Sequence, residues 1–349
     1  MNQDFDLIDG DDDSDESFEH FQVTADPGQA PLRVDKFLID RIPHISRSKI
    51  STAAKNGNVV VNGESVKQNY KVKPNDEISL VFPHPKHELK LIPQEIELDI
   101  VYEDDDLVVV NKPAGFVVHP GHGNYSGTLV NALLHHFGNL PKNAKSEVAY
   151  PGLVHRIDKD TTGLLVIAKK EDVLTNLAAQ FFNRTTQRFY YALVWGNVEE
   201  EAGTITGNIG RSHSDRKQMT VYPDGEEGKH AVTHYEVLER LGYVTLVKCK
   251  LDTGRTHQIR AHMKHIGHTL FGDIRYGGNK ILKGTTFSKY RQFVENCFQI
   301  LPRQALHAKT LGFTHPKTGK WMEFECPLPE DMEMVLDKWR VYVKAKSLD

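Results

Sequence analysis

Helical and strand-like periods follow one another along the chain in two separate blocks. In the first, "LRVDKFLIDRIPHISRSKISTAAKNGNVVVNGESVKQNYKVKPNDEISLVF", Val34, Phe37, Leu38 and Ile42 recur at helical spacing, and Pro43 ends that helix. Ser46 is placed to cap a second helix that leaves Arg47, Lys49 and Lys55 exposed and stops at Gly57. "VVV" then reads as a strand, with Asn62-Gly63 as a tight hairpin turn into the next. The second block begins after Leu98. "DDLVVVNKPAGFVVHP" is an apolar strand broken by Pro113 and Gly115, "TLVNALLHHF" an amphipathic helix, "GLLVIAKK" a strand, "EDVLTNLAAQFFN" a helix and "YYALVWG" a third strand. "AVTHYEVLERLGYVTLVKCKLDTG" reads as two strands joined by a turn, leading into a helix-like "RTHQIRAHMKHIG". The regular alternation of a parallel sheet is missing. The pattern predicts an α+β fold with a mixed, mostly antiparallel sheet, preceded by a small α+β domain.

Boundaries follow from the same pattern. Residues 1–30 are expected to be an acidic disordered tail, 31–82 the small domain, 83–97 a linker rich in Pro and charge, 98–335 the large body and 336–349 a C-terminal helix or tail. The 349 residues suffice for two or three domains, each with its own core. At 39% hydrophobic and 26% charged residues the chain fits an ordinary globular protein. Neither a signal peptide nor a membrane span is expected. Cys249, Cys297 and Cys326 are widely spaced and form no CxxC pair, which fits a reducing cytoplasm and argues against a zinc site.

The net charge of -4 hides an asymmetry. Residues 1–22 hold nine Asp or Glu and no Lys or Arg, so the remaining residues set 43 basic against 38 acidic side chains. A mildly basic body suits a nucleic-acid partner. The acidic block suits a solvating tail, and it could also compete with a polyanion for a basic surface.

Three short stretches carry candidate chemistry. "HRIDKDTTG", residues 155–163, packs charge where the chain should be entering a core, and alone it reads as a solvated turn. Its Asp158 and Asp160 have the DxD spacing of phosphotransferases that attack phosphate through an aspartate, but His155 and Arg156 interrupt the approach. "LDTGRTHQIRAHMKHIGHTLFGD" gathers Arg255, His257, Arg260 and His262 on one short helix and its entrance. The five-residue spacing of His257 and His262 does not align metal ligands on a helix, and an RNA-facing or carboxylate-facing role suits the arginines better. "QRFYYALVWG" starts a strand with Tyr190, ordinarily a core position. "GHGNYSG", Gly121 to Gly127, lacks the third glycine of a dinucleotide loop and reads as a connection.

Taken together these stretches resemble the RluA family of pseudouridine synthases, most closely its RluD-like branch. His155 to Gly163 matches "HR[LI]D…[ST]G", Tyr190 to Gly196 matches "Y.A.V.G", and Thr253 to His262 matches "TGR.HQ[IL]R.H". Asn111 to Gly121 and Arg303 to Gly319 match two further motifs in the family's order. Departures are small: Arg188 stands where lysine is common and Thr269 where proline is frequent. Residues 31–82, with "SRSKI…G.V.VNG", resemble the S-four-type RNA-binding domain, which often accompanies the family.

The resemblance implies an isomerase that breaks the bond from uracil nitrogen to the ribose anomeric carbon, turns the base and rejoins it through carbon 5, without cofactor or metal. Asp158 is implied as the essential aspartate, Arg260 as the arginine that pairs with it and keeps it ionised, and Tyr190 as the active-site tyrosine that packs on the flipped base or moves a proton from the sugar. Arg156 is implied to enter the space the base vacates. His155, Thr162 and Gly163 are expected to shape the loop. Arg47 and Lys49 of the small domain, with Arg255 and His257, are expected to face RNA. The implied partner is ribosomal RNA or the pre-ribosomal large subunit, with a monomer expected and no membrane. A non-catalytic ribosome-associated RNA-binding protein and an aspartate-dependent phosphotransferase are the alternatives.

Overall fold

The computed structural model describes residues 18–42, 47–82, 91–119, 126–138, 140–141, 152–215 and 218–346, and it divides into two units, Met1–Lys90 and Leu91–Asp349. The first unit runs β1 (Phe18–Thr24), β2 (Leu32–Arg33), α1 (Val34–Ile39), α2 (Arg47–Lys55), β3 (Val59–Val61), β4 (Glu64–Ser65), β5 (Lys71–Val72) and β6 (Glu77–Phe82). Its main sheet has the order β1-β6-β3-β4, antiparallel throughout, and β2 pairs with β5. The helical spacing of Val34, Phe37 and Leu38 buries all three against Ile50 of α2 and Val59, Ile78 and Leu80 of the sheet. Asn62 and Gly63 both take positive φ, at 52° and 86°, which is the turn joining β3 to β4. The expected stop at Pro43 and cap at Ser46 lie outside the described residues.

The region expected as a tail over 1–30 differs from Phe18 onward, where β1 forms an antiparallel pair with β6. Phe21 and Val23 pack on the small core and Ala25 is buried in it. Alternating apolar residues make this strand, and the acidic run before it conceals the alternation in the sequence. Residues 1–17 lie outside the described residues.

The second unit contains β7 (Ile100–Glu103), β8 (Leu107–Lys112), α3 (Leu129–Phe137), β9 (Thr162–Ala168), α4 (Glu171–Asn183), β10 (Gln187–Trp195), β11 (Ala202–Arg211), β12 (Met219–Tyr222), β13 (Lys229–Arg240), β14 (Val244–Leu251), α5 (Gln258–His265), α6 (Ser288–Ile300), β15 (Leu306–Thr314), β16 (Trp321–Glu325) and α7 (Glu330–Lys346). The strands form one sheet in the order β12-β11-β13-β14-β10-β15-β9-β8-β7, with β16 attached to β15. Its pairings are antiparallel except for β15 with β9, where His307 and Ala308 lie beside Thr162 and Gly163. This is the mixed, mostly antiparallel sheet that the pattern predicts.

Successive residues of β8 enter opposite cores: Val108 and Val110 join Leu133, Leu165 and Tyr190, while Leu107 and Val109 join Val173 and Leu177 of α4. A strand buried on both faces has no polar alternation, which is why "LVVV" is continuous. Two boundaries move. Residues 91–97, expected within the linker, belong to the large unit: the Asn131 amide donates to the Ile92 carbonyl at 2.8 Å and Gly127 N donates to Gln94 Oε1 at 2.6 Å. Helix α7 runs through the expected boundary at 335, because Met332, Val335, Leu336 and Trp339 form an apolar stripe sunk against Trp195, Phe271 and α6.

Candidate active site

Adjacent strands β9, β15, β10 and β14 bring the three candidate stretches together. The loop bearing Asp158 leads into β9, Tyr190 lies on β10, and Arg260 lies on α5, which follows β14. Across the sheet Tyr190 pairs with Ala308, which pairs with Gly163. Residues far apart in sequence thus share one end of the central strands.

The loop from Asp158 to Gly163 is fixed through its backbone. Lys112, at the end of β8, is 1% exposed and donates from Nζ to the carbonyls of Pro113 at 2.7 Å and Lys159 at 2.8 Å. Arg303 donates from Nη1 to the Asp160 carbonyl at 3.0 Å, while its Nε and Nη2 hold the Asp331 carboxylate of α7 at 2.7 and 2.8 Å. Thr161 N donates to the Asp158 carbonyl at 3.1 Å, and Thr162 Oγ1 meets His307 Nδ1 at 2.8 Å. Gly163 has φ 111°, and a Cβ there would lie 2.3 Å from the Ala308 carbonyl oxygen, so a glycine is required for the close approach of β15. Two buried basic side chains therefore hold consecutive carbonyls just beyond Asp158. Burial pushes the Lys112 amine down to about 7, while Asp160 and Asp158 pull the other way.

Arg260 is the hub of the side-chain chemistry. Its Nη1 donates to Asp158 Oδ2 at 2.8 Å; its Nε and Nη2 donate to Asp273 Oδ2 and Oδ1 at 2.7 and 2.9 Å. The Tyr276 ring lies beneath the guanidinium, 4.9 Å from Cζ to centroid. Asp273 is 0% exposed, whereas the Asp158 side chain keeps 19% exposure. One carboxylate is consumed in holding the arginine, and the other is left open on one side. Burial pushes the Asp158 carboxyl up, but His257 when protonated, Arg260 and Arg156 outweigh it and hold the group below its ordinary value. Asp158 is thus an ionised, oriented carboxylate.

His257, at the entrance to α5, adopts a left-handed backbone with φ 53° and brings Nε2 to 3.9 Å from Asp158 Oδ2. Burial pushes its pKa down to about 4, so the ring is neutral near pH 7. The Tyr276 hydroxyl accepts from Met219 N at 3.0 Å, leaving its proton for His257 Nδ1 at 3.1 Å. The imidazole proton then belongs on Nε2, facing Asp158. Gln258 braces this turn, accepting from Arg255 N at 3.0 Å and Thr253 Oγ1 at 2.7 Å and donating to the Val232 carbonyl at 2.9 Å.

Tyr190 is 6% exposed within the large core, and its pKa is raised mainly by burial, with Arg188 opposing and Asp158 adding to the shift. Arg156 is exposed beside Asp158, with Nη1 3.0 Å from His119 Nε2. Arg255 is half-buried and turned away, donating from Nε to the His230 carbonyl at 3.1 Å. In the first unit Arg47 is exposed on α2 and shares the buried Asp35 carboxylate with Arg33, at 3.4 and 2.9 Å. Lys49 lies on α2, and its side chain is outside the described atoms. Sequence reasoning passed over Lys112, Asp273, Tyr276 and Arg303, although Lys112 and Asp273 stand inside quoted stretches and Arg303 opens a matched motif. Nothing in spacing reveals that a lysine at a strand end or an aspartate after "LFG" will face this loop.

Among the described residues, one group of possible metal ligands comes together, Asp104, Asp106 and His315, with ligand atoms within 4.8 Å of one another. It lies at the other end of β8 from Lys112. Its acceptors are engaged: Asp104 takes Tyr102 Oη, the N–H groups of Asp106 and Leu107, and His315, and Asp106 pairs with Lys170. The group ties the β7–β8 turn to the end of β15.

A pair of buried basic side chains on the loop backbone and an arginine shared by two carboxylates define a site that presents one ionised aspartate to a ligand able to enter from solvent. Residues 106–265 match the family profile described as RNA pseudouridylate synthase, and residues 32–78 match that of the S4 domain. An uncharacterised RNA pseudouridine synthase of Chlorobaculum parvum is 49% identical over 320 residues, which is 91% of this chain and 97% of that one. Ribosomal large subunit pseudouridine synthase D of Zymomonas mobilis is 42% identical over 319 residues, 90% of this chain and 96% of that one. Among solved structures, human RNA pseudouridylate synthase domain containing 1 superposes with a TM-score of 0.51 at 26% identity, over 72% of this chain and 96% of that one. The chain belongs to the RluA family of RNA pseudouridine synthases, with an N-terminal S-four-type RNA-binding domain. That membership replaces the phosphotransferase and non-catalytic alternatives. No helix among the described residues is long and apolar enough to cross a membrane.

Proposed function

We propose that this synthase converts uridines of large-subunit, 23S-type ribosomal RNA in the cytoplasm, and that Asp158 is the reacting carboxylate. The observation that carries the assignment of Asp158 is the division of Arg260: two of its N–H groups go to the fully buried Asp273, and only Nη1 reaches Asp158. An arginine already neutralised by one carboxylate orients the second and keeps it ionised without closing it off. The ribosomal target is supported by relatives such as that of Zymomonas mobilis, whose name specifies the large ribosomal subunit.

In this account the target uridine leaves its stack, and Arg156, exposed next to the site, takes the vacated space. Asp158 attacks the sugar or the base, or stabilises a glycal-type intermediate, while the base turns and rejoins through carbon 5. Tyr190 packs on the base; a buried phenol with a raised pKa is better suited to that than to giving up its proton. His257, neutral with its proton on Nε2, faces Asp158 from 3.9 Å, beyond hydrogen-bond reach. Arg47, Lys49 and Arg255 are assigned to RNA backbone contacts. The test is conversion of purified large-subunit RNA by the wild-type chain, read by pseudouridine mapping: discrete new sites are expected, and no conversion would contradict the reading.

A further inference from the structure

Arg188, the second residue of β10, has no carboxylate partner among the described residues. It is half-buried, its Cζ lies 5.2 Å from the centroid of Phe181, and its Nη1 lies where a Cβ on Gly254 would approach to 3.3 Å. Its Nε is buried and has no hydrogen-bond partner among the described residues. His155 stacks on the same Phe181 ring, with centroids 4.5 Å apart and planes 22° apart. His155 Nε2 accepts from Val166 N at 3.0 Å, so the neutral ring carries its proton on Nδ1. That Nδ1 is also buried and unpartnered among the described residues.

Two N–H donors from different segments thus lie against one aromatic ring, with no acceptor for either among the described residues. Buried donors ordinarily find partners, and a partly desolvated guanidinium lacking a counter-charge is costly. An anionic acceptor arriving with the substrate offsets the cost at Arg188, whose side chain is only half-buried. The position suits such an acceptor. His155 precedes Asp158 by three residues, Arg188 precedes Tyr190 by two on β10, and Gly254 beside Arg188 is exposed. Arg260 cannot serve an incoming anion, since Asp273 and Asp158 already occupy it.

We propose that Arg188 binds a backbone phosphate of the RNA beside the target nucleotide. This rests on the chain acting on RNA as its family does, and it does not depend on which RNA is modified.

The test uses the full chain and a short oligouridylate, whose unstacked bases need no flipping. Arg188→Gln is expected to weaken binding by about tenfold or more. It should also lower the slope of log affinity against log salt by about 0.7, the value for one lost phosphate contact on a single strand. Arg188→Lys, which keeps the charge, should retain the slope. In the wild-type chain, the Arg188 Nε–H resonance should shift when oligouridylate is added, a readout that stands even if Arg188→Gln fails to fold. Unchanged affinity, an affinity loss with an unchanged salt slope, or an unmoved resonance each overturns the proposal. Failure of the enzymatic reading would register separately, as absent pseudouridine in RNA treated with the wild-type chain.

Discussion

Removing the Arg260 side chain should destabilise the large unit through Asp273 more than through Asp158. Asp273 is fully buried and takes two charge-assisted bonds from Arg260, at 2.7 and 2.9 Å; without them it keeps the Tyr276 N–H at 3.1 Å and no cation at bonding distance among the described residues. Breaking a buried pair from one side costs about 3–5 kcal/mol, because the stranded charge has neither water nor partner. Asp158 retains 19% exposure and so recovers some solvation. Arg260→Met should therefore lower the urea midpoint by about 1–2 M for an m-value of about 2–3 kcal/mol/M. Asp273→Leu should cost less, since Arg260 keeps its bond to Asp158 while Nε and Nη2 lose their acceptor. The double variant replaces both charges with apolar groups and should be far less damaged than the sum, with a coupling of about 2 kcal/mol or more. All three tryptophans, Trp195, Trp321 and Trp339, lie in the large unit, so their fluorescence follows its unfolding alone. Losses that add to within about 0.5 kcal/mol would refute the idea that Asp273 and Arg260 act as one buried unit.

Other consequences are equally open to measurement. Lys112→Met keeps length and removes both carbonyl bonds, so turnover should fall about 10- to 100-fold with RNA affinity nearly unchanged, as expected for a displaced reacting group; parallel losses in both would contradict the positioning role. Arg156→Ala should leave the unfolding free energy within about 0.5 kcal/mol of wild type, yet slow conversion of a structured RNA far more than of an unstacked oligonucleotide; equal slowing would remove its role in displacing the base. Burial depresses His155 to about 3 and His257, His262 and His307 to about 4. Between their unfolded value near 6.5 and those folded values the unfolded chain binds more protons. Stability should therefore fall steadily as pH drops from about 6.5 to about 4, read as a declining urea midpoint, and a flat profile would mean that these rings are charged or solvated in the fold.

Local pattern carried the elements well and their long-range meeting poorly. Leu129–Phe137 and Glu171–Asn183 form where their apolar spacing puts helices, and the two long strands around the turn at Gly242 are as read. The strand from Phe18 to Thr24, the segment 91–97 and the early start of the last helix escape the pattern because acidic, proline-rich or terminal context outweighs a few apolar side chains that tertiary packing uses. Asp158 and Arg260 are hydrogen-bonded across 102 positions of sequence, and no periodicity links them; it was the order of motifs in a family resemblance that pointed to both. Asp273, Lys112 and Arg303 show the limit of that route. Each lies in a recognisable stretch, but its role depends on a carbonyl or guanidinium delivered from another strand.

The most direct measurement is pseudouridine mapping of large-subunit RNA from cells lacking this gene and complemented with the wild-type chain or with Asp158→Asn, a substitution that removes the charge and keeps the shape. The account predicts that specific pseudouridines vanish in the deletion strain, return with the wild-type chain and stay absent with Asp158→Asn, even though the variant protein is folded and still binds RNA. Restoration of those sites by Asp158→Asn, or their persistence in the deletion strain, would contradict it.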